Sequence, residues 1–341
     1  MILLTIQRRR AAAVVALLWS VAQIACGGGS SSSASTTPTT PTPPAVNPNA
    51  WSVAGQIVAT NGGQSLGGAQ VAPSWGLAAV TADGQGAFQL SDTTAPPSNP
   101  YPVSVSGAGL VTHNIWVSWQ RGARSGVTID AIRDAPPFSM DFYRQLVRGT
   151  YDQPGAPYAV FRWMDSPSVY LKTVDQNGRP VEPEVLAVVK DAIQRSVPAW
   201  TSGRLSLAAL ETGTDRRSPA TGWINIDIRR DPNEKRICGF ANIGANPGSI
   251  TLNDDVCSCG SNKIPGAVVL HEMGHALGFF HVPDRGSIMF PFIAGDCPAG
   301  RLSDAESYHA AIAYSRPRGN LEPDRDPSSL SQFTYTLLLA R

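Results

Sequence analysis

Residues 271–281 read His271-Glu272-Met273-Gly274-His275-Ala276-Leu277-Gly278-Phe279-Phe280-His281 and hold three of the five histidines in the chain. Pro265 can open a helix here, and Ala267-Val268-Val269-Leu270 is apolar enough for that helix to be buried. His271 and His275 then stand at i and i+4, one turn apart on a shared face, where both imidazoles can reach one ion at a Zn–N distance of ~2.0–2.1 Å. Glu272, rotated by ~100° from His271, sits beside such an ion without ligating it. Gly278 allows the positive φ that ends a helix. The chain can then turn back, and His281 supplies a third nitrogen. Three protein ligands leave a fourth position open, as in a catalytic zinc site. A structural site is closed by four ligands and has no use for a carboxylate beside its first histidine.

The stretch fits H-E-x-x-H-x-x-G-x-x-H at every fixed position, and Met289 follows eight residues after His281 in Ser287-Ile288-Met289-Phe290-Pro291. It resembles the metzincin zinc metallopeptidases, and the Met289 segment is similar to the Met-turn of their matrixin branch. The resemblance covers roughly residues 155–315. It implies an α+β zincin-type catalytic domain with one catalytic zinc on His271, His275 and His281 and Met289 as an apolar floor. Glu272 would be the general base that moves a proton from water to the leaving amine as a peptide bond of a protein or peptide substrate is hydrolysed. Pro291 stands where astacin-like and serralysin-like enzymes carry an extra tyrosine ligand, so that ligand is not expected. No Cys lies between residues 27 and 237, which argues against latency through a propeptide cysteine. The rival from another class is a surface binding or adhesion lipoprotein whose zinc site persists without turnover; the intact Glu272 speaks against it.

Around the motif, apolar residues at Val185, Leu186, Val189, Ile193, Val197 and Trp200 recur at helical spacing and predict a helix over 182–200 with Pro183 in its first turn. Strands are predicted at Leu205–Leu210 and Trp223–Arg229, and from Gly239 to Leu252 around an Asn246-Pro247-Gly248 turn. Phe240 to Ile243 would form the cleft edge that meets a peptide backbone. Ser303-Asp304-Ala305-Glu306 is a capping box that opens a last helix through about Tyr314, with His309 as packing or surface. Cys238, Cys257, Cys259 and Cys297 bracket the motif and are disulfide candidates in an exported chain. With Cys257 and Cys259 unpaired to each other, either 238–257 with 259–297 or 238–259 with 257–297 remains. Structural calcium around Asp254 and Asp255 is a further option with no support beyond their carboxylates.

The N-terminal part has a different character. Arg8, Arg9 and Arg10 precede an apolar run from Ala11 to Ala25, as in a secretory signal peptide. Gln23-Ile24-Ala25-Cys26-Gly27 looks like a lipobox with Cys26 as the lipidated residue, although Gln23 departs from the small aliphatic residue usual there; cleavage after Ser20 and Ala22 is the alternative. From Gly27 to Pro44 every residue but Ala34 is Gly, Ser, Thr or Pro, a tether with nothing to bury. Short alternating runs at Ser52–Ala59, Gly68–Ala72, Ala78–Ala82, Ala87–Leu90, Pro102–Ser106 and Gly126–Ile132 predict a small β-sandwich, with Asp83-Gly84 as a hairpin turn. Its pattern of Gly55, Gly68-Ala69-Gln70-Val71, Thr81-Ala82-Asp83-Gly84, Phe88 and Leu90 resembles the carboxypeptidase-regulatory-like module of exported bacterial proteins. Trp116 and Trp119 are expected in its core, with an exposed aromatic platform for a sugar or protein partner as the alternative, and His113 in a structural role.

Only 16% of residues are charged and the net charge is +1, against the basic surface that a nucleic-acid binder requires. The expected architecture is therefore multidomain: signal peptide 1–25, lipidated Cys26 and tether 26–50, all-β sandwich 51–135, α+β metzincin-like domain 136–316 and tail 317–341. Such a chain is exported, either held in the cell envelope, at the outer membrane, through its N-terminal lipid, or secreted. Nothing in the sequence sets the oligomeric state.

Overall fold

A computed structural model describes residues 49–231, 233, 236–254, 256–260, 263–292, 300–321, 324–328 and 337–340. The expected signal peptide, Cys26, the expected tether up to residue 48, Asp255 and Cys297 lie outside these residues. The described residues fall in one compact unit of mixed sheets and, among them, four helices, consistent with an all-β part joined to an α+β part.

The first seven strands are β1 Trp51–Ala59, β2 Gln70–Pro73, β3 Val80–Thr81, β4 Ala87–Asp92, β5 Tyr101–Ser106, β6 His113–Val117 and β7 Gly122–Ala131. They form two sheets, ordered β4-β1-β7 and β3-β2-β5-β6. Alternate side chains along β1 (Trp51, Val53, Ile57) meet Val71, Tyr101, Val103, Val105 and Ile115 in one apolar core, as the two-residue period of a strand requires. The sequence reading needs three corrections here. Asp83-Gly84 does not join paired strands: β3 and β4 belong to different sheets, and the turn, closed by Asp83 N–H to Ala87 O at 2.9 Å, crosses from one to the other. A strand beyond the expected set, β6, pairs antiparallel with β5. Trp116 on it is 37% exposed rather than in the core, because the alternation of β6 turns it away from inward-facing Ile115 and Val117; only Trp119 packs against the apolar cluster.

The remaining elements are α1 Met140–Arg148, β8 Ser168–Lys172, α2 Pro183–Trp200, β9 Ala209–Gly213, β10 Trp223–Arg229, β11 Gly239–Asn242, β12 Gly248–Asn253, α3 Gly266–Ala276, α4 Asp304–Ser315 and β13 Leu337–Ala340. Their sheet runs β13-β11-β12-β10-β8-β9. The central pairs β12·β10, β10·β8 and β8·β9 are parallel, whereas β11 is antiparallel to both its neighbours. A strand with one face against the core needs apolar residues at every second position. Ile224, Ile226 and Ile228 supply them on β10, as do Ile250 and Leu252 on β12.

The helix expected over 182–200 forms as α2, with Pro183 in its first turn and Val185, Val189, Ile193, Val197 and Trp200 buried. Glu182 provides no side-chain cap and instead meets Lys263 at 2.5 Å. α2 packs on α3, and the shared core takes in most of α3's side chains. The strand expected at Leu205–Leu210 forms later, over β9, leaving Leu205 and Leu207 packed against that core outside regular structure. Among the described residues no helix is long and apolar enough to cross a membrane.

Candidate metal centre and active site

α3 carries His271, Glu272 and His275 and ends where expected. Leu277 caps it, and Gly278 follows with φ of +109°, where a Cβ would lie 2.7 Å from the carbonyl oxygen of Phe161. Glycine is required there both by the backbone angle and by the close approach. Beyond the turn, Phe280 N–H donates to Leu146 O at 2.8 Å and Val282 N–H to Met289 O at 3.0 Å, and these bonds bring His281 back over the helix.

Ligand atoms of His271, His275 and His281 all come within 4.8 Å of one another, and each of the three residues is buried. Nε2 of His275 stands 3.2 Å from Nε2 of His281. Each ring is oriented through its other nitrogen: His271 Nδ1 donates to Ile288 O at 2.7 Å, His275 Nδ1 to Phe279 O at 2.8 Å, and His281 Nδ1 to Asp152 Oδ1 at 2.9 Å. With the proton fixed on Nδ1, the Nε2 lone pairs face inward, the tautomer a metal ligand needs. Burial, with the neighbouring His281 charge second, pushes the His271 imidazolium down to about 3, and the same causes hold His275 well below its ordinary range. Both are neutral bases at physiological pH. The Nε2 of His271 has no protein partner although it is shielded from solvent. A buried nitrogen lone pair without a donor is costly, and a cation among the three rings satisfies it, so the residues fit zinc.

Glu272 is wholly buried, and neither carboxylate oxygen has a protein partner. Burial alone raises its pKa well above the usual carboxylate range. The start of β11 lies against it: a Cβ on Gly239 would come within 2.8 Å of Glu272 Oε1. Cys238, the preceding residue, is disulfide-bonded to Cys257 beyond β12, which ties both ends of the β11–β12 hairpin together. That pairing belongs to the first of the two connectivities; Cys259 is disulfide-bonded as well.

Met289 is buried, and its Sδ would stand 2.8 Å from a Cβ on Gly274 of α3, as would the Trp200 ring. A sulfur and an indole thus close on Gly274, one of the two glycines of the motif. Trp200 is locked there by its Nε1–H bond to Leu270 O at 2.9 Å and by stacking on Phe279.

Two further contributors were missed by sequence reading. Asp152 orients His281 through its ring and also accepts from its backbone N–H at 3.2 Å, yet it lies 129 residues away with no local pattern to mark it. Glu306 was identified only as the capping-box residue of α4. It does close that box, accepting from Ser303 N–H at 2.7 Å, and its other oxygen takes Met289 N–H at 3.0 Å together with the hydroxyl of Ser287. One carboxylate therefore caps a helix and fixes the Met289 turn. His309, fully buried, bonds Ala305 O and the backbone of Ser139 and serves packing. At the calcium option, Asp254 receives the Arg230 guanidinium at 2.9 Å, so a protein cation already faces its carboxylate.

The matrixin family model matches residues 260–309. Together with the three-histidine cluster, that match supports a metzincin-type zinc peptidase. No curated protein matches the sequence. Among solved structures, a type II cohesin–X-dockerin complex from Acetivibrio cellulolyticus matches at 19% identity with a TM-score of 0.20, over 24% of this chain and 56% of that one. The chain thus spans little more than half of that structure, and the likeness carries no argument about fold or function.

Proposed function

We propose that the chain is a zinc-dependent endopeptidase in which His271, His275 and His281 hold the ion and Glu272 is the general base. The observation that carries this reading is the convergence of three inward imidazole nitrogens beside a buried carboxylate that no protein group satisfies. Zinc, when bound, supplies Lewis-acid polarisation of the scissile carbonyl and an acidified water. The chain's own residues do the rest. Glu272, as the carboxylate, takes the proton of the attacking water as its oxygen bonds to the carbonyl carbon, then, as the carboxylic acid, delivers that proton to the amine nitrogen as the C–N bond breaks. Asp152 and the carbonyls of Ile288 and Phe279 keep the three rings from turning.

We further propose that the chain is exported and anchored through Cys26, with the 27–50 tether holding the body clear of a bacterial envelope and its substrates being proteins or peptides of that compartment. The strands from β1 to β7 are read as an accessory module. Mass spectrometry of the membrane fraction should find lipid on Cys26; an unmodified terminus at Gln23 would end that part of the reading.

The central test is Glu272→Gln. Its zinc content by elemental analysis should equal that of the parent and its thermal unfolding should be intact, while hydrolysis of a peptide library falls by at least roughly a hundredfold, in the range general-base removal produces. Undiminished hydrolysis removes Glu272 from the mechanism.

A further inference from the structure

β11 is the strand that touches Glu272, and its outer edge is already taken. β13 pairs with it antiparallel in the register Gly239↔Ala340, Phe240↔Leu339, Ala241↔Leu338 and Asn242↔Leu337. Without β13, β11 would end the sheet and present a row of unpaired N–H and C=O groups, the template on which an extended peptide adds as a further strand. A peptide docked there runs past Gly239, whose Cα lies against the Glu272 carboxylate. The residue facing Gly239 in that position is Ala340. The disulfide at Cys238 fixes β11 at the same end. The occupying sequence, Leu337-Leu338-Leu339-Ala340, contains no charge, Gly or Pro and can pair along its whole length.

We propose that residues 337–340 are an internal occupant of the peptide-docking strand: they hold the place of an extended substrate on β11 and must leave before one can bind. This deepens the peptidase reading and rests on it for the name of the competitor. Substrates of such a site bind as an added antiparallel strand, with uncharged residues beside β11 as in 337–340. A tethered segment competes at an effective concentration on the order of mM, so even a short ladder excludes a dilute peptide. Such a mask needs no cysteine, in keeping with the absence of Cys between residues 27 and 237.

The test compares the full chain with Leu338→Pro, which removes a ladder N–H from β13, and with a chain ending at Ser328. A fluorescent peptide of sequence 333–341 should bind the two altered chains saturably, with at least a roughly tenfold gain in affinity over the full chain, as release of a tethered competitor predicts. Hydrogen exchange at β11 amides should rise in both, while α2 stays protected as proof of an intact fold. Where hydrolysis is measured, KM should fall and kcat stay constant. Equal peptide binding and equal β11 exchange in all three chains overturn the proposal. Binding gained with no hydrolysis by any chain upholds the mask and sinks the peptidase reading instead, whereas hydrolysis unchanged in KM with binding unchanged does the reverse.

Discussion

Asp152 determines how His281 presents its nitrogen. By accepting from both the ring and the backbone of that residue, it fixes the tautomer and the rotamer together. Such outer partners typically alter metal affinity ~10–100-fold when removed. Asp152→Asn should therefore weaken zinc binding by about that factor in a chelator competition, with fold and Glu272 untouched; an unchanged affinity would reduce Asp152 to a packing residue. The metal-ligating triad was legible because its chemistry is local: two imidazoles one turn apart and a third after a glycine turn. Asp152 was not, because a carboxylate acquires its meaning from a contact across 129 residues of chain, and nothing in Tyr151-Asp152-Gln153 distinguishes it from any surface turn. Gly274 and Gly239 are intermediate cases. Their positions were on the page as sequence, but the need for a missing side chain shows only when Met289, Trp200 and Glu272 are packed around them.

Among the elements, α3, α2, β10 and α4 were readable because each carries a complete signal: periodic apolar residues, an opening proline or a capping box. α1 also had its signals, Ser139 accepting from Phe142 N–H and Gly149 in the left-handed region, but a nine-residue helix gives little periodicity to confirm them. β8 escaped notice since a five-residue parallel strand is defined by neighbours on either side, and those are chosen by tertiary packing rather than by local pattern. The same limit shifted β9. The joint between α4 and the Met289 turn makes a prediction at this scale. Removing a buried carboxylate leaves its donors unsatisfied, at a cost of ~1–3 kcal/mol each, and Glu306 serves Met289, Ser287 and Ser303. Glu306→Ala should lower the unfolding free energy by several times that of an exposed substitution and loosen zinc retention as well. Denaturant titration with metal analysis checks both, and Ser303→Ala, which removes only the cap, should cost ~0.5–2 kcal/mol and leave zinc in place.

On the scale of the whole molecule, the strands β1 to β7 are joined to the peptidase-like part by a buried polar cluster. Arg316, at the end of α4, is fully buried and reaches Asp324 at 2.8 Å, Asp130 of β7 at 2.5 Å and Thr60 after β1 at 3.1 Å. His113 of β6 joins it, bonding Asp130 O at 2.8 Å and Asp326 at 3.2 Å. His113, Asp324 and Asp326 are close enough for a metal, but the Arg316 guanidinium already faces Asp324, and Asp326 is held by His113 and Asn320. Burial pushes the His113 pKa down, yet the Asp326 hydrogen bond and the Asp324 and Asp326 charges outweigh burial and the opposing Arg316, leaving it above 6.5. A histidine whose pKa is raised on folding contributes stability that is complete below the unfolded value of 6.5 and is lost as pH rises through the folded one. Thermal unfolding of the wild type should thus weaken with pH above 6.5, and His113→Gln should lack that component. Arg316→Met strands Asp324 without its cation, at a cost of about 3–5 kcal/mol, and urea unfolding followed by Trp51 and Trp200 fluorescence should then split into two transitions.

The same cluster sets where the protein can be cut for study. A fragment trimmed to the apparent catalytic part, beginning after Ala135, keeps His271, His275 and His281 but deprives the buried Arg316 side chain of Asp130 and Thr60. Its expression would be expected to yield aggregate or a loosened metal pocket, and the smallest soluble piece that reports faithfully on hydrolysis begins ahead of Trp51.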